Sequence, residues 1–309
     1  MGKELVWQVE AGSKIALKDY DPGYTGDYAD DEAAKAEMKK LGKKLDRLQE
    51  LMSIAQHHSV LLVLQGMDTS GKDGTIRHVF SRVDPQGCEV HAFKQPTELE
   101  LRHDYLWRVH NVVPARGVLG IFNRSHYEDV LIVRVQKMVP EKVWSRRYKE
   151  INRFEELLAD NNTIILKFFL HISLEEQEMR LLAREQQIEK AWKVSAGDWE
   201  QRKYWDDYMQ AYEDALSQCS TKKAPWYVVP ANNKWYRNLA IAHTLVKTLK
   251  QYEDEWQKEL VQRGDVQLEG LRRMRAAQKS PEEHPSHKGH KDHHSQKERG
   301  EQNEGVETD

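Results

Sequence analysis

The chain has 309 residues, 39% of them hydrophobic, enough to bury a core as one large α/β domain or two small ones. A formal net charge of −3, with 31% charged residues, gives no overall drive toward nucleic acid or a membrane surface. Two cysteines, Cys88 and Cys219, without C-x-x-C spacing, and no apolar run near ~18 residues, point to a reduced, cytoplasmic protein with neither zinc site nor membrane span.

Residues 1–31, rich in Gly, Asp and Tyr (DYDPGYTGDYADD), carry no apolar period and read as an irregular N-terminal arm. From about Glu32 to His57, Leu41, Leu45, Leu48, Met52 and Ala55 recur at three- and four-residue steps and predict a helix. SVLLVLQG, 59–66, is a continuous apolar run ending in Gly, the pattern of a strand buried on both faces. A weaker run follows at 88–93 (CEVHAF), and clear ones at 117–122 (GVLGIF), 163–170 (TIILKFFL) and 226–229 (WYVV). Between them lie helical segments with start signals: Thr97 with Glu100, Ser173 with Glu176, and Pro140 in a first turn. This alternation predicts an α/β fold, a mostly parallel sheet of about five strands with helices on both faces. A last long helix is predicted from about Trp235 to Gly264. Beyond it the composition collapses, and 267–309 reads as a disordered, charged, His-rich tail. Its histidines (His284, His287, His290, His293, His294) read as a solvated tail before they read as a weak transition-metal trap. There are no internal repeats.

Chemistry concentrates first in QGMDTSGKDG, 65–74, where Gly66, Gly71 and Lys72 match G-x-x-x-x-G-K-[ST] behind a buried strand. Strand, Gly-rich turn and helix aim backbone N–H groups and a helix dipole at an anion, so Gly66, Thr69, Ser70, Gly71, Lys72, Asp73 and Gly74 are candidate phosphate-binding residues. Asp73 stands where a hydroxyl is usual, and Asp68 puts a second carboxylate inside the loop. A carboxylate beside phosphate is repulsive unless a divalent cation lies between them. Asp68 is therefore a candidate ligand for magnesium, or manganese in its place. Asp73 is either a further metal-side acid or a charge satisfying the helix N-terminus.

The second constellation is GIFNRSHYEDVL, 120–131, where an apolar strand empties into Asn123, Arg124, Ser125, Glu128 and Asp129. Ligands of open parallel sheets sit outside the carboxyl ends of strands. Arg124 can clamp phosphate oxygens, while Glu128 and Asp129 can complete a metal shell or position an attacking oxygen. Cations gather in two further places: Lys94, Arg102 and Arg108 in the first, and Arg180, Arg184, Lys190, Lys193, Arg202 and Lys203 in the second. Arg180 and Arg184 share a helical face. With Glu176, Glu178, Glu185 and Glu189 nearby, that face is either a salt-bridged solvated helix or a basic lid that keeps water from a polyanion.

Over roughly residues 30 to 252 the chain resembles the family-2 polyphosphate kinases, P-loop kinases that move phosphoryl groups between inorganic polyphosphate and nucleotides. The resemblance rests on GMDTSGKDG as Walker A loop, KQPTELELRHDYLWR, FNRSHYEDVL as Walker B region, RLLAREQQIEKAWKVSAGDWEQRKYWDDYMQAYEDAL as lid, and APWYVVPANNKWYRN at the last strand. It implies a three-layer P-loop kinase fold over 32–266 with a helical lid at about 174–215. It implies magnesium-dependent, reversible transfer of the terminal phosphoryl group of polyphosphate to AMP and ADP, or to other nucleoside mono- and diphosphates. Asn123, where many members carry Asp, is similar to the subgroup acting on both acceptors, and puts in doubt any mechanism needing a base there. By the same resemblance Asp68 and Lys72 would serve metal and phosphate, with Asp129 a second metal-side acid. Arg124 would grip nucleotide phosphates, Asn123 and Glu128 would orient the acceptor, and Arg102 and Arg108 would join the nucleotide side. Lys94, Arg180, Arg184 and Lys193 would line a polyphosphate channel. A homo-oligomer is expected, and no nucleic-acid or membrane partner. Two other readings stay open: an ATP-dependent nucleotide kinase, and a non-catalytic polyanion-binding module, which Asp73 would favour.

Overall fold

The structure is a computed structural model and describes residues 4–186 and 196–279. Its strands are β1 (Trp7–Gln8), β2 (Ser59–Gln65), β3 (Cys88–Ala92), β4 (Leu119–Asn123), β5 (Thr163–His171) and β6 (Trp226–Pro230). Its helices are α1 (Asp31–Ala55), α2 (Lys72–Val79), α3 (Trp107–His110), α4 (Ile132–Val135), α5 (Glu141–Asp160), α6 (Leu174–Glu185), α7 (Ala196–Arg202), α8 (Trp205–Cys219), α9 (Lys234–Leu249) and α10 (Glu253–Lys279).

All seven residues of β2 are buried, because helices cover both faces of the strand. Alternation then sorts them: Val60, Leu62 and Leu64 enter a core with Leu41, Leu45 and Leu48 of α1 and Leu239 and Leu245 of α9. Leu61 and Val63 enter the opposite core, with Tyr148 and Ile151 of α5 and Tyr208 and Tyr212 of α8. The six strands run in the order β1-β6-β5-β2-β4-β3. Every neighbouring pair is parallel except β1, which lies antiparallel on β6. The fold is therefore the expected three-layer α/β arrangement, with one strand more than the five that apolar runs reveal. The extra strand comes from the arm, where Val9 N donates to Trp226 O at 2.9 Å and Leu5, Val6, Ile15 and Leu17 are buried. Two residues are too few to show an alternating pattern.

Start signals act as local chemistry dictates. Asp30 accepts from Ala33 N at 3.0 Å to open α1, and Ser173 accepts from Glu176 N at 3.2 Å to open α6. Thr97 and Glu100 form the reciprocal pair, at 2.7 and 3.3 Å, yet it starts only a single 3-10 turn at Glu100–Arg102. The helix predicted from Trp235 to Gly264 is two, because one 3-10 turn, Lys250–Tyr252, separates α9 from α10. The chain divides after Arg263 into two compact units, Met1–Arg263 and Gly264–Asp309. Among the described residues of the second, α10 continues to Lys279, so the expected disorder from 267 gives way to helix over QLEGLRRMRAAQK, in which strong helix formers surround Gly270. The His-rich stretch 280–309 lies outside the described residues, as does 187–195 of the lid, including Lys190 and Lys193. No described helix is long and apolar enough to cross a membrane.

Candidate functional site

The carboxyl end of β2 opens into the Gly-rich loop, and α2 begins at Lys72. The loop turns through left-handed backbone at Thr69 (φ 65°) and Gly71 (φ 103°). Gly71 caps α2 with no side-chain acceptor, so the first N–H groups of the helix stay available to an anion. Thr69 Oγ1 and Ser70 Oγ are buried with no hydrogen-bond partner, which adds two unused hydroxyls to the loop. Lys72 is buried and arches back over the loop, its Nζ donating to Gly66 O at 2.7 Å and Met67 O at 3.2 Å. Burial pulls its pKa down to about 8, and Arg124 pushes the same way, against Asp68, Glu128 and Asp73.

The loop forms one wall of a cleft of about 950 Å³. From the β4 side, Asn123 and Arg124 enter it. Asn123 Nδ2 donates to Asp73 Oδ1 at 2.7 Å, and Arg124 Nη2 donates to Asp68 Oδ1 at 2.7 Å. Arg124 does this from φ 62°, a conformation costly for a residue other than glycine and held here by Arg124 N donating to Leu64 O at 3.0 Å. From the β5 and β6 side come Glu176, Arg180 and Arg184 of α6 and Lys234 and Arg237 of α9, and Lys94 closes the rim after β3.

Several candidates stand elsewhere. Glu128 is half-buried and outside the cleft lining, but its charge reaches Arg124 and Lys72, and also Tyr208 and Tyr212 of α8. Asp129 turns away to Arg147, whose Nη1 donates to Asp129 Oδ1 at 2.8 Å and to its carbonyl at 2.9 Å. Arg108 is buried, donating to Lys94 O at 2.9 Å with its guanidinium over Phe93. Arg102 is exposed and lies outside the cleft lining. Arg180 lines the cleft, but its guanidinium is spread over backbone: Thr69 O and Ser70 O in the loop, Ala231 O and Asn232 O after β6. Sequence reading missed Arg77 and His78 of α2 and Lys234 and Arg237 of α9, all lining the cleft. The signal for the last two was present: NNKWYR leaves the carboxyl end of a buried strand just as NRS does after β4.

Beneath the β4 turn lies a buried charged network. Lys167 Nζ on β5 donates to Glu155 Oε2 on α5 at 2.5 Å, to Tyr127 Oη at 2.8 Å and to Cys219 O at 2.7 Å. Glu155 Oε1 accepts from Tyr127 Oη at 2.8 Å and lies 3.2 Å from His126 Nε2. Burial alone would raise the Glu155 pKa, but the Lys167 charge and His126 outweigh it and hold the carboxyl low. The turn carrying Arg124 and Glu128 is thus tied, through the hydrogen bonds of Tyr127 and the His126 contact, to a fully buried Lys167–Glu155 ion pair.

Asp68 and Asp73 both line the cleft, and Asp68 is a hard oxygen donor within the Gly-rich loop, which fits a magnesium ion sharing its shell with phosphate oxygens. Another grouping of possible ligands among the described residues, His57, His58 and Glu255, lies at the opposite end of β2. There Trp256 Nε1 donates to His58 Nδ1 at 3.1 Å.

Comparison with known proteins agrees with this geometry. Residues 28–257 match the family described as Polyphosphate kinase 2. The chain is 52% identical over 245 residues to an AMP/ADP-polyphosphate phosphotransferase of Meiothermus ruber, covering 79% of this chain and 92% of that one. It is 43% identical over 260 residues to an ADP-polyphosphate phosphotransferase of Rhodopseudomonas palustris, covering 80% of this chain and 90% of the other. The crystal structure of polyphosphate kinase 2 from Arthrobacter aurescens superposes with a TM-score of 0.76 at 43% identity, over 79% of this chain and 88% of that one. A Gly-rich loop at the tip of β2, a cation-lined cleft and these likenesses together place the chain in the polyphosphate kinase 2 family.

Proposed function

We propose that this enzyme transfers the terminal phosphoryl group of inorganic polyphosphate to AMP and ADP, and runs reversibly. The observation that carries the reading is the charge of the cleft. Lys72, Arg77, Lys94, Arg124, Arg180, Arg184, Lys234 and Arg237 line it against the carboxylates Asp68, Asp73 and Glu176, eight cations to three acids. That excess suits a polyanion longer than a nucleotide's own phosphates. The likeness to relatives named for AMP and ADP transfer supports the choice of acceptors.

Phosphoryl transfer has a loose transition state, so positioning and charge neutralisation do most of the chemistry. A terminal phosphate oxygen of the acceptor, already ionised near pH 7, attacks the terminal phosphorus of the chain. A new P–O bond forms as the anhydride P–O bond breaks, and the shortened polyphosphate leaves with the electron pair. No strong base is required, which fits Asn123 at the end of β4. In this reading the loop amides and Lys72 hold the transferred group, Arg124 neutralises its charge from the β4 side, and Asn123 and Glu128 orient the acceptor. A divalent metal, magnesium by the hardness of its ligand, would be held by Asp68 and would supply further charge neutralisation between the phosphates. Asp129, already occupied by Arg147, is a support for the β4 turn in this scheme, and Arg102 and Arg108 lie outside the reacting site. Arg184 and Lys94 line the polyphosphate path. Lys193, a further candidate for that path, lies outside the described residues, and a homo-oligomer in the cytoplasm remains the expected assembly and place.

Nucleotide formation from polyphosphate and ADP in the absence of ATP, followed by chromatography, tests the reading. ATP must appear in proportion to polyphosphate consumed; no product from polyphosphate, with transfer from ATP to AMP intact, would reverse the donor.

A further inference from the structure

Arg237, in the first turn of α9, is buried against the underside of the phosphate loop, with 2% of its surface exposed. Its Nη1 donates to Ser70 O at 3.1 Å, while Nε and Nη2 share Asn238 Oδ1 at 3.2 and 2.9 Å. The guanidinium abuts the start of α2. A Cβ on Gly71 would fall 1.8 Å from its Nη1, and one on Gly74 would fall 3.3 Å from its Nη2. Gly71 is thus bare for two reasons, its positive φ and the arginine pressed on it.

What this guanidinium lacks is an anion. Among the described residues no carboxylate pairs with Arg237. The charged group acting on it is another cation, Arg180, whose Nη1 donates to the same Ser70 carbonyl at 3.2 Å. Arg180 has Glu176, with Oε1 2.6 Å from its Nε. Burial, with Arg180 adding to it, pulls the Arg237 pKa down to about 9. A buried charge without a partner is strongly unfavourable, and a fold keeps one where an anion arrives to balance it. Of five guanidinium N–H groups, three are engaged by Ser70 and Asn238, and the residue lines the cleft with Lys234 beside it.

Topology says which anion. The loop stands at the tip of β2 between β4 and β5, and Arg124 reaches it from the β4 side, with Glu128 on the same turn. Arg180, Lys234 and Arg237 reach it from the β5 and β6 side. We propose that Arg237 is a polyphosphate-binding residue that balances one phosphate of the donor chain on the β6 side of the loop, opposite the nucleotide. The proposal rests on the polyphosphate reading above and adds a direction to it, with the donor chain running from the loop along α2 and α9.

Thermal melting of the full chain tests this, with tripolyphosphate alone and with ADP alone, on wild type, R237M and R237K. Methionine removes the charge at similar volume. The expected result is a clear rise in wild-type Tm with each ligand, loss of most of the tripolyphosphate shift in R237M, and an unchanged ADP shift. In steady state, R237M should raise KM for polyphosphate ~10-fold and KM for ADP less than twofold, the scale of one charge-assisted contact. Should R237M fail to fold, R237K, which keeps charge but loses the fork, must still raise KM for polyphosphate several-fold with KM for ADP unchanged. Equal tripolyphosphate shifts in wild type and R237M, or a change in ADP binding instead, would make Arg237 a strut of the loop or a nucleotide contact and overturn the proposal. Those outcomes leave the donor assignment standing as long as wild type makes ATP from polyphosphate. Absence of that turnover in wild type would defeat the donor assignment itself.

Discussion

Arg124 and Asp68 face one another across the cleft, guanidinium to carboxylate at 2.7 Å, one from the tip of β4 and the other from the loop after β2. In the proposed reaction the pair would hold a phosphate clamp and a metal-side acid within reach of the same transferred group. Asp68→Asn should lower kcat by at least ~100-fold at saturating magnesium, the scale of losing one preorganised electrostatic contact, and so should Lys72→Ala. Near-normal turnover in either variant would remove that residue from the reacting site.

Asp68 and Asp129, both candidates for metal, each pair with an arginine, Asp68 with Arg124 and Asp129 with Arg147, but of the two it is Asp68 that lines the cleft. Titrating magnesium in Asp129→Asn should give a half-activation concentration within twofold of wild type, with a lowered Tm from the abandoned Arg147. In Asp68→Asn the half-activation concentration should rise at least ~10-fold. A reversed order would return the metal to Asp129.

Lys72 makes activity and stability move in opposite directions with pH. Its folded pKa, about 8, lies below the ordinary lysine value, so above pH 8 the free enzyme loses the charge that meets phosphate. The profile of kcat/KM for polyphosphate should therefore fall above about pH 8. Between about 8 and 10.5 the unfolded chain carries a proton that the folded one lacks, so this group makes folding more favourable as pH rises through that window. A flat kcat/KM profile to pH 10 would show that Lys72 keeps its charge and that burial is relieved in solution.

How much of this was legible depended on distance along the chain. Buried parallel strands announce themselves as unbroken apolar runs, so β2, β4, β5 and β6 could be read directly, and the loop and NRS followed from their carboxyl ends. β1 could not, since its two residues earn their place only by pairing with β6. The break at Lys250–Tyr252 has neither Gly nor Pro to mark it. Arg180 and Arg184 share a face by spacing, yet packing turns Arg180 onto four backbone carbonyls. Arg237 follows the carboxyl end of a buried strand, but its place against the loop could not be read, because its partner there, Ser70, is 167 residues away.

The buried Lys167–Glu155 pair under the β4 turn predicts a sharp asymmetry between single and double variants. Lys167→Met leaves Glu155 in the core without its cation, and Glu155→Gln leaves Lys167 there without its carboxylate. Urea unfolding should show each costing about 3–5 kcal/mol, with the double variant well short of their sum. Additive losses would mean that the two groups do not act as a pair.

The account stands most directly on what donates and what accepts. AMP and ADP, each offered polyphosphate with magnesium, and AMP offered ATP, give three reactions whose products chromatography resolves. Polyphosphate should convert ADP to ATP, and AMP stepwise to ADP and then ATP, with no ATP needed at the start. Conversion of ADP alone would confine the enzyme to diphosphates, and transfer only from ATP would contradict the account at its centre.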